Sequence, residues 1–600
     1  MGDGGAEYWI DRGGTFTDIV ALSPDGTIRV LKLLSHDPAR YADAAVAGIR
    51  ALGGADAEPP LVKIGTTVAT NGLLTRTGEP TVFVTTRGFG DALIIGYQAR
   101  PDIFARTIVK PPPLAAAVIE IDERVSAHGE VLIALDEAAA RVALLDARAQ
   151  GFGSVAIALM HGWLRPEHEA RLAAIARELG FAQVSASHEV SPVQRLIARA
   201  ETTVADAYLS PVLHRYVGSL SEGLGEGARL FFMQSAGGLV AASQFRGKDA
   251  VLSGPAGGIV GMARTAAALG LTKLIGFDMG GTSTDVSLYA GSYERVFETE
   301  IAGVRIAAPM LAIHTVAAGG GSVCSVGGGR LSAGPRSAGS NPGPACYRRG
   351  GPATVTDCNV VLGKIQPAFF PAVFGEGGDR PIDGGASRAA LRALADDLAR
   401  ETDEEVDPET LAEGLVAIAV DTMARAIRRI SVERGHDPAD YTLVSFGGAG
   451  GQHACLVADA LGIGRVMIHP LAGVLSALGM GLADATVTRA VTLDWGFHSG
   501  MESRGAATVE TLGNAARAAL EAQGVPVGAV TTTAAAHVRY AQGDRGFDVP
   551  LGEADTMRAA FEAEHRRRFG FVTPEASVVL DRLIVDAIGR APGAGYMPPK

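Results

Sequence analysis

Apolar runs punctuated by short polar turns open the chain. Tyr8-Trp-Ile10 leads into a glycine turn, Asp18-Ile-Val-Ala-Leu22 leaves it, and Pro24-Asp-Gly26 turns the chain into Ile28–Leu34. This pattern predicts a β-meander. Spaced apolar positions among alanines predict a helix over 41–52, and further helices over 136–150, 166–180, 195–220, 387–401, 411–429 and 506–524. Compact apolar runs at 62–65, 81–85, 154–160, 230–233, 274–277, 443–446 and 464–468 predict strands. The stretches 318–322 and 334–345 hold so many glycines and prolines that no regular structure is expected; a loop of that length in a compact domain is usually functional.

The run ending at Phe277 breaks into Asp278-Met-Gly-Gly-Thr-Ser-Thr-Asp285. Asp278 falls at a strand end, Gly280 and Gly281 admit close backbone approach, Thr282 and Ser283 add hydroxyls, and Asp285 adds a second carboxylate. Such a set can cradle phosphate and hold a hydrated metal ion, although a single Gly-Gly-Thr turn also fits an ordinary hairpin. The chain carries the pattern twice. Ile10-Asp-Arg-Gly-Gly-Thr-Phe-Thr-Asp-Ile19 aligns Asp11 with Asp278, Gly13 and Gly14 with Gly280 and Gly281, Thr15 with Thr282, Thr17 with Thr284, and Asp18 with Asp285. Two distant copies suggest two halves of one fold, each offering a loop to a shared ligand.

Other glycine turns read less sharply. Thr66 and Thr67 open the polar stretch 66–71, which either caps the next helix or faces a ligand. Residues 253–258 open a helix with a glycine-rich turn that suits an anion or close helix packing equally well. Gly447, Gly448, Gly450 and Gly451 follow the strand 443–446. His161, at the end of a buried run, reads as a core histidine rather than a ligand.

Composition narrows the class. With 600 residues, 47% of them hydrophobic and 20% charged, the chain is globular and too long for one core, so two or three domains are expected. A net charge of −12 argues against a nucleic-acid partner. The four cysteines show no C-x-x-C spacing, which suits a reduced, cytoplasmic setting. The uncharged windows 306–329 and 466–483 are broken by proline and glycine, so no membrane span is expected.

The residues taken together resemble the hydantoinase/5-oxoprolinase family along nearly the whole chain. The carrying segments are 10–18, 65–71, 251–258, 276–286, 315–321, 337–347, 354–357 and 446–453, and within the family the chain is most similar to the ATP-binding, hydantoinase A-like half of 5-oxoprolinase, through 10–18, 32–35 and 96–104. The resemblance implies an α/β fold: a duplicated ribonuclease-H-like domain, as in actin, Hsp70 and sugar kinases, with ATP in the cleft between lobes and a small C-terminal α+β region. The expected segments are 1–195, 196–485 and 486–600. It implies ATP and Mg²⁺, with Asp11 and Asp278 holding the metal, Asp18 and Asp285 as further catalytic candidates, and Gly447–Gly451 as the adenosine turn. Arg12, Arg100, Thr66 and Thr67 are the candidate substrate contacts. Arg12 suits a carboxylate, which 5-oxoproline carries and hydantoin lacks, and equally fits a phosphate contact or a surface pairing. The implied reaction is ATP-dependent opening of a cyclic amide, with a hydantoinase B-like partner half and an oligomeric assembly. Hydantoin opening, carboxylation of ketones, and a nucleotide-gated binding module are the alternatives.

Overall fold

The computed structural model describes residues 6–38, 40–53, 59–97, 102–375, 378–497, 501–543 and 545–590. The chain forms two compact units that interleave in sequence. Among the described residues, one takes in the chain up to Gly254, Arg295–Leu311 and 483–590; the other takes in Pro255–Glu294 and Ala312–Leu482. The contiguous segments expected from the sequence cut the chain differently.

In the first unit the meander forms as expected, with strands Glu7–Arg12, Phe16–Leu22 and Ile28–Leu34 pairing antiparallel in turn. Leu61–Thr66 and then Arg229–Met233 add on the other side, both parallel to the first strand. The sheet continues through Leu239–Ala241 into Ala485–Gly496, Val578–Gly589, Val530–Tyr540 and Gly546–Pro550. The C-terminal strands therefore extend the N-terminal sheet instead of building one of their own. Between Leu61–Thr66 and Arg229–Met233 the chain makes a separate four-stranded parallel sheet of Thr81–Thr86, Ala115–Ile121, Ser154–Ile157 and Gln183–Ala186. The two central runs, TVFVTT and SVAI, are buried throughout because helices cover both faces: Glu137–Ala149 and Glu167–Glu178 on one, Leu196–Leu224 on the other.

The second unit repeats the opening of the first. Lys273–Met279, Thr284–Ala290 and Ile313–Val316 pair antiparallel in turn, Thr442–Phe446 lies parallel to the first of these, and Val466–Met467 follows parallel again. Strand order and sense match the five leading strands of the first unit. The long helix Pro408–Ser431 buries Leu411, Leu415, Ala419, Met423, Ile427 and Ile430 against this sheet, an i, i+4 stripe that the sequence already displayed.

One expectation of irregular structure fails. Arg330–Ser337 is a strand, paired with Ser322–Gly327 in a hairpin of its own. Pro335 is tolerated because this strand has a single partner and the register shifts between Ser322 and Cys324, so the missing N–H interrupts no continuous ladder.

Two glycines of helix Ser253–Ala267 serve close helix packing. Gly257 and Gly261 lie against helix Leu475–Leu482: a Cβ on Gly261 would stand 2.6 Å from the Leu475 carbonyl, and one on Gly479 would collide with the Gly257 carbonyl. Gly479→Ala is expected to cost about 1–3 kcal/mol, because the two backbones must separate. A thermal melt reads this directly, and an unchanged transition would contradict so close a helix contact.

Candidate functional site

Both Gly-Gly-Thr loops close in the same way. The Gly13 N–H donates to the Phe16 carbonyl at 3.0 Å, and the Gly280 N–H donates to the Ser283 carbonyl, also at 3.0 Å. The flanking strands then fall into the same register, with Asp11 directly opposite Asp18 and Asp278 directly opposite Asp285. Directly paired residues share a face of the sheet, so each hairpin carries two carboxylates side by side at its loop end. The row continues across each sheet. In the first unit it reads Gly65, Asp11, Asp18, Lys32; in the second it reads Phe446, Asp278, Asp285, Thr315.

The electrostatics of the first row are unusual. Asp11 is half-buried, its Oδ1 is sealed from solvent with no hydrogen-bond partner, and Asp18 stands beside it. Burial, then the Asp18 charge, push the Asp11 carboxyl up to about 7, against a smaller opposing effect of Lys32. Asp18 is also raised by burial, and Lys32, ion-paired with it, pulls it back. In the second row burial raises Asp285, while the Thr315 hydroxyl donates to its Oδ1 at 2.6 Å and opposes the shift.

Glycines give both leading carboxylates room. A Cβ on Gly254 would stand 2.9 Å from Asp11 Oδ1, and one on Gly447, whose φ is +81°, would collide with the Asp278 carboxylate. Gly14, Gly281, Gly448 and Gly451 behave differently: a Cβ there would meet nothing within 4 Å. Among the described residues the N–H groups of Gly14, Thr15, Gly281 and Thr282 donate to no protein acceptor. Open backbone, unpaired donors and an orphaned carboxylate are the features a phosphate group with a divalent cation would satisfy. Each unit has one leading carboxylate placed where it could face such an ion, Asp11 in the first and Asp278 in the second.

The second loop is braced from below by a third glycine turn. Gly320 and Gly321 donate N–H to the carbonyls of Gly280 and Gly281 at 3.1 and 2.6 Å, and the Thr356 N–H and hydroxyl hold the Gly320 carbonyl at 2.7 and 2.9 Å. Gly450 packs under the same strands, where a Cβ would stand 2.7 Å from Ser445 Oγ.

Other residues singled out in the sequence do different work. Thr17 is fully buried and pairs with Ser35 Oγ at 3.0 Å, while Ser35 in turn donates to the Gly13 carbonyl at 2.7 Å. Thr284, its counterpart, is buried and donates to the Ala318 carbonyl. Both threonines shape their loops from behind. The Thr66 N–H donates to Ser253 Oγ at 3.1 Å and its hydroxyl accepts from the Val68 N–H at 3.2 Å, while Thr67 donates to the Arg12 carbonyl, so this stretch starts a helix and ties it to the first loop. Arg12 projects from the face opposite Asp11; its guanidinium stacks over Tyr216 at 4.8 Å and lies 3.7 Å from Asp43. Arg100 lies outside the described residues. Lys32 and Thr315 lie within the carrying segments 32–35 and 315–321 but were given no role from sequence. Counting the meander's alternation outward from Asp11 and Asp278 would have found both.

No cluster of three or more His, Cys, Asp or Glu residues suited to a metal occurs among the described residues, and all four cysteines are free thiols. A groove of about 560 Å³ in the second unit, lined by Leu362, Lys364, Glu413 and Val416 among others, includes none of the loop residues. No helix among the described residues is long and apolar enough to cross a membrane.

The geometry meets its relatives at this point. 5-Oxoprolinase 1 of Arabidopsis thaliana is 40% identical over 98% of this chain and 50% of its own length. The chain spans about half the length of the curated relatives it matches first. Among solved structures, the ATP-dependent caprolactamase from Pseudomonas jessenii superposes with a TM-score of 0.85 at 30% identity, over 98% of this chain and 88% of that one. A nucleotide-free acetone carboxylase shares the fold, with a TM-score of 0.73 at 24% identity over 100% and 90%. Residues 7–180 match the hydantoinase/oxoprolinase N-terminal region and residues 199–489 the hydantoinase/oxoprolinase model; the chain belongs to the hydantoinase/oxoprolinase family.

Proposed function

We propose that the chain is the ATP-binding, substrate-phosphorylating half of a cyclic amidase that opens 5-oxoproline to L-glutamate, with ATP cleaved to ADP and phosphate. The observation that carries this reading is the duplicated pair of carboxylates held in one register beneath open glycine loops. In this reading the two five-strand segments are a ribonuclease-H-like duplication, and Gly447–Gly451 is the adenosine turn. The relatives named for 5-oxoproline and for ATP-dependent lactam opening support the substrate class. The partner is a hydantoinase B-like half, fused or separate, and the setting is the cytoplasm.

A lactam is stabilised by amide resonance, and water alone opens it slowly. Placing a phosphoryl group on the amide oxygen creates a leaving group and an electrophilic carbon that water then attacks. The protein's task in that transfer is positioning and charge neutralisation. Within each unit the open N–H groups, those of Gly14 and Thr15 in the first and of Gly281 and Thr282 in the second, would donate to phosphate oxygens, with Asp11 and Asp278 as the metal-holding carboxylates of their own loops. Mg²⁺ bound with ATP would neutralise charge on the phosphate oxygens. Arg12, turned to the other face and engaged by Tyr216 and Asp43, fits a surface pairing better than capture of the lactam carboxylate.

The test is ATP hydrolysis by the chain together with its partner half, measured with 5-oxoproline, hydantoin, caprolactam and acetone in turn. Stimulation by 5-oxoproline well above the others is expected. Preferential stimulation by hydantoin or acetone would move the chain to another branch of the family, and no response to any small molecule would favour the nucleotide-gated binding module.

A further inference from the structure

The two loops share a register but differ in charge, and the difference sits at one place in each row. Opposite Asp18 stands Lys32; opposite Asp285 stands Thr315. A second difference accompanies it, because the residue closing the first loop is Phe16 and the one closing the second is Ser283. The Lys32 ammonium contacts the Asp18 carboxylate and lies 5.2 Å from the centre of the Phe16 ring. It is thus held on the same face as Asp11, at the loop end of the hairpin. An ammonium has three donors. Asp18 takes one, and with 40% of its side chain exposed Lys32 keeps the others available.

The row in the second unit has no such cation: Asp285 is met by the neutral Thr315 hydroxyl. The first loop thus offers a positive charge at the register position where its counterpart offers a neutral hydroxyl. Terminal phosphate oxygens carry the greatest negative charge of a nucleoside triphosphate and gain most from an ammonium. We propose that Lys32 is a phosphate-binding residue of the first loop, donating to the terminal phosphate of the nucleotide, a contact the second loop lacks. The proposal rests on the nucleotide reading above. The ordinary alternative is an exposed ion pair with Asp18, which would contribute little to stability and nothing to ligand affinity.

The experiment is equilibrium binding of AMP-PNP with Mg²⁺, and separately of AMP, to the full chain and to Lys32→Thr and Lys32→Arg. Lys32→Thr gives the first row the residue that the second row has at this position. It is expected to weaken AMP-PNP about tenfold or more, as loss of a charge-assisted hydrogen bond does. AMP has no terminal phosphate to lose; its affinity stays within about twofold and serves as the control for folding. Lys32→Arg keeps the charge and retains most of the AMP-PNP affinity. Unchanged AMP-PNP affinity in Lys32→Thr, equal losses for both nucleotides, or failure of Lys32→Arg to retain binding would each overturn the assignment while leaving the nucleotide reading intact. Absence of nucleotide binding by the unaltered chain would overturn that reading, and this assignment with it.

Discussion

Replacing Asp11 by asparagine is expected to remove ATP hydrolysis and, at the same time, to make the ligand-free protein more stable above neutral pH. The stability half follows from where the carboxyl sits. Its pKa is raised to about 7 by burial and by Asp18, whereas an unfolded aspartate titrates near 3.9. Between those values the folded protein holds a proton that the unfolded chain has released. The stabilising contribution is complete below about pH 4 and is lost as pH rises through about 7. Above that, the folded state carries a charged oxygen with no hydrogen-bond partner. Asparagine keeps the shape and cannot ionise, so the melting temperature of Asp11→Asn should exceed that of the unaltered chain at about pH 8, with the difference vanishing near pH 4. The activity half follows from the proposed function, in which this buried oxygen faces the cation that accompanies ATP. A loss of about 10³-fold or more is expected, in line with removal of a preorganised charge from a phosphoryl-transfer site. Asp278→Asn should lose hydrolysis to a similar degree, since it holds the equivalent register position. Normal hydrolysis in either variant would reduce that loop to a hairpin turn. A gain in stability with a loss of function would mark the strain as functional.

Much of this site was legible in the sequence because its information is local. Eight residues specify strand end, turn and returning strand, and the pattern occurs twice, so both loops and the correspondence of Asp11 with Asp278 and of Asp18 with Asp285 could be read without knowing the fold. What local pattern did not convey is which face each side chain takes. Thr17 and Ser283 both look like loop hydroxyls; only the register, with Asp11 and Asp18 on one face, sends Thr17 to the other, where Ser35 receives it. Long-range pairing was also out of reach. The C-terminal strands join the N-terminal sheet through Leu239 and Ala485, and nothing near either residue announces the other. The strand Arg330–Ser337 was hidden for the opposite reason: its glycine and proline content resembles a loop, and its single partner strand is what makes that content acceptable.

The largest effect expected of all concerns the completeness of the reaction. Given Mg-ATP and 5-oxoproline, this chain on its own should bind nucleotide and release ADP slowly or not at all, and should produce no glutamate. Opening the activated ring requires water to be delivered and deprotonated, and the scattered candidates Asp357, His453, His161 and His314 are poorly suited to that. Asp357 is buried, and its carboxylate already accepts from the N–H groups of Ala345, Cys346 and Thr354 and from the hydroxyls of Thr354 and Ser387. His453 is buried against Asn359, 3.0 Å from its amide nitrogen, and desolvation pushes its pKa down to about 4. His161 sits in a left-handed turn with φ of 60°, lowered by burial and by Arg199, and His314 is lowered by burial and by Arg429 and Arg434. None of these histidines is paired with a carboxylate in the way that would make it a base at neutral pH. The relatives named 5-oxoprolinase are about twice as long as the stretch they share with this chain, and in the proposed reading the remainder supplies the step. Glutamate and ADP should be quantified from the same reaction, first with the chain alone and then with the hydantoinase B-like half added. Glutamate should appear only in the second mixture, in step with ADP. Stoichiometric glutamate from the chain alone would place the hydrolytic base within these 600 residues, and the division of labour between the two halves would have to be abandoned.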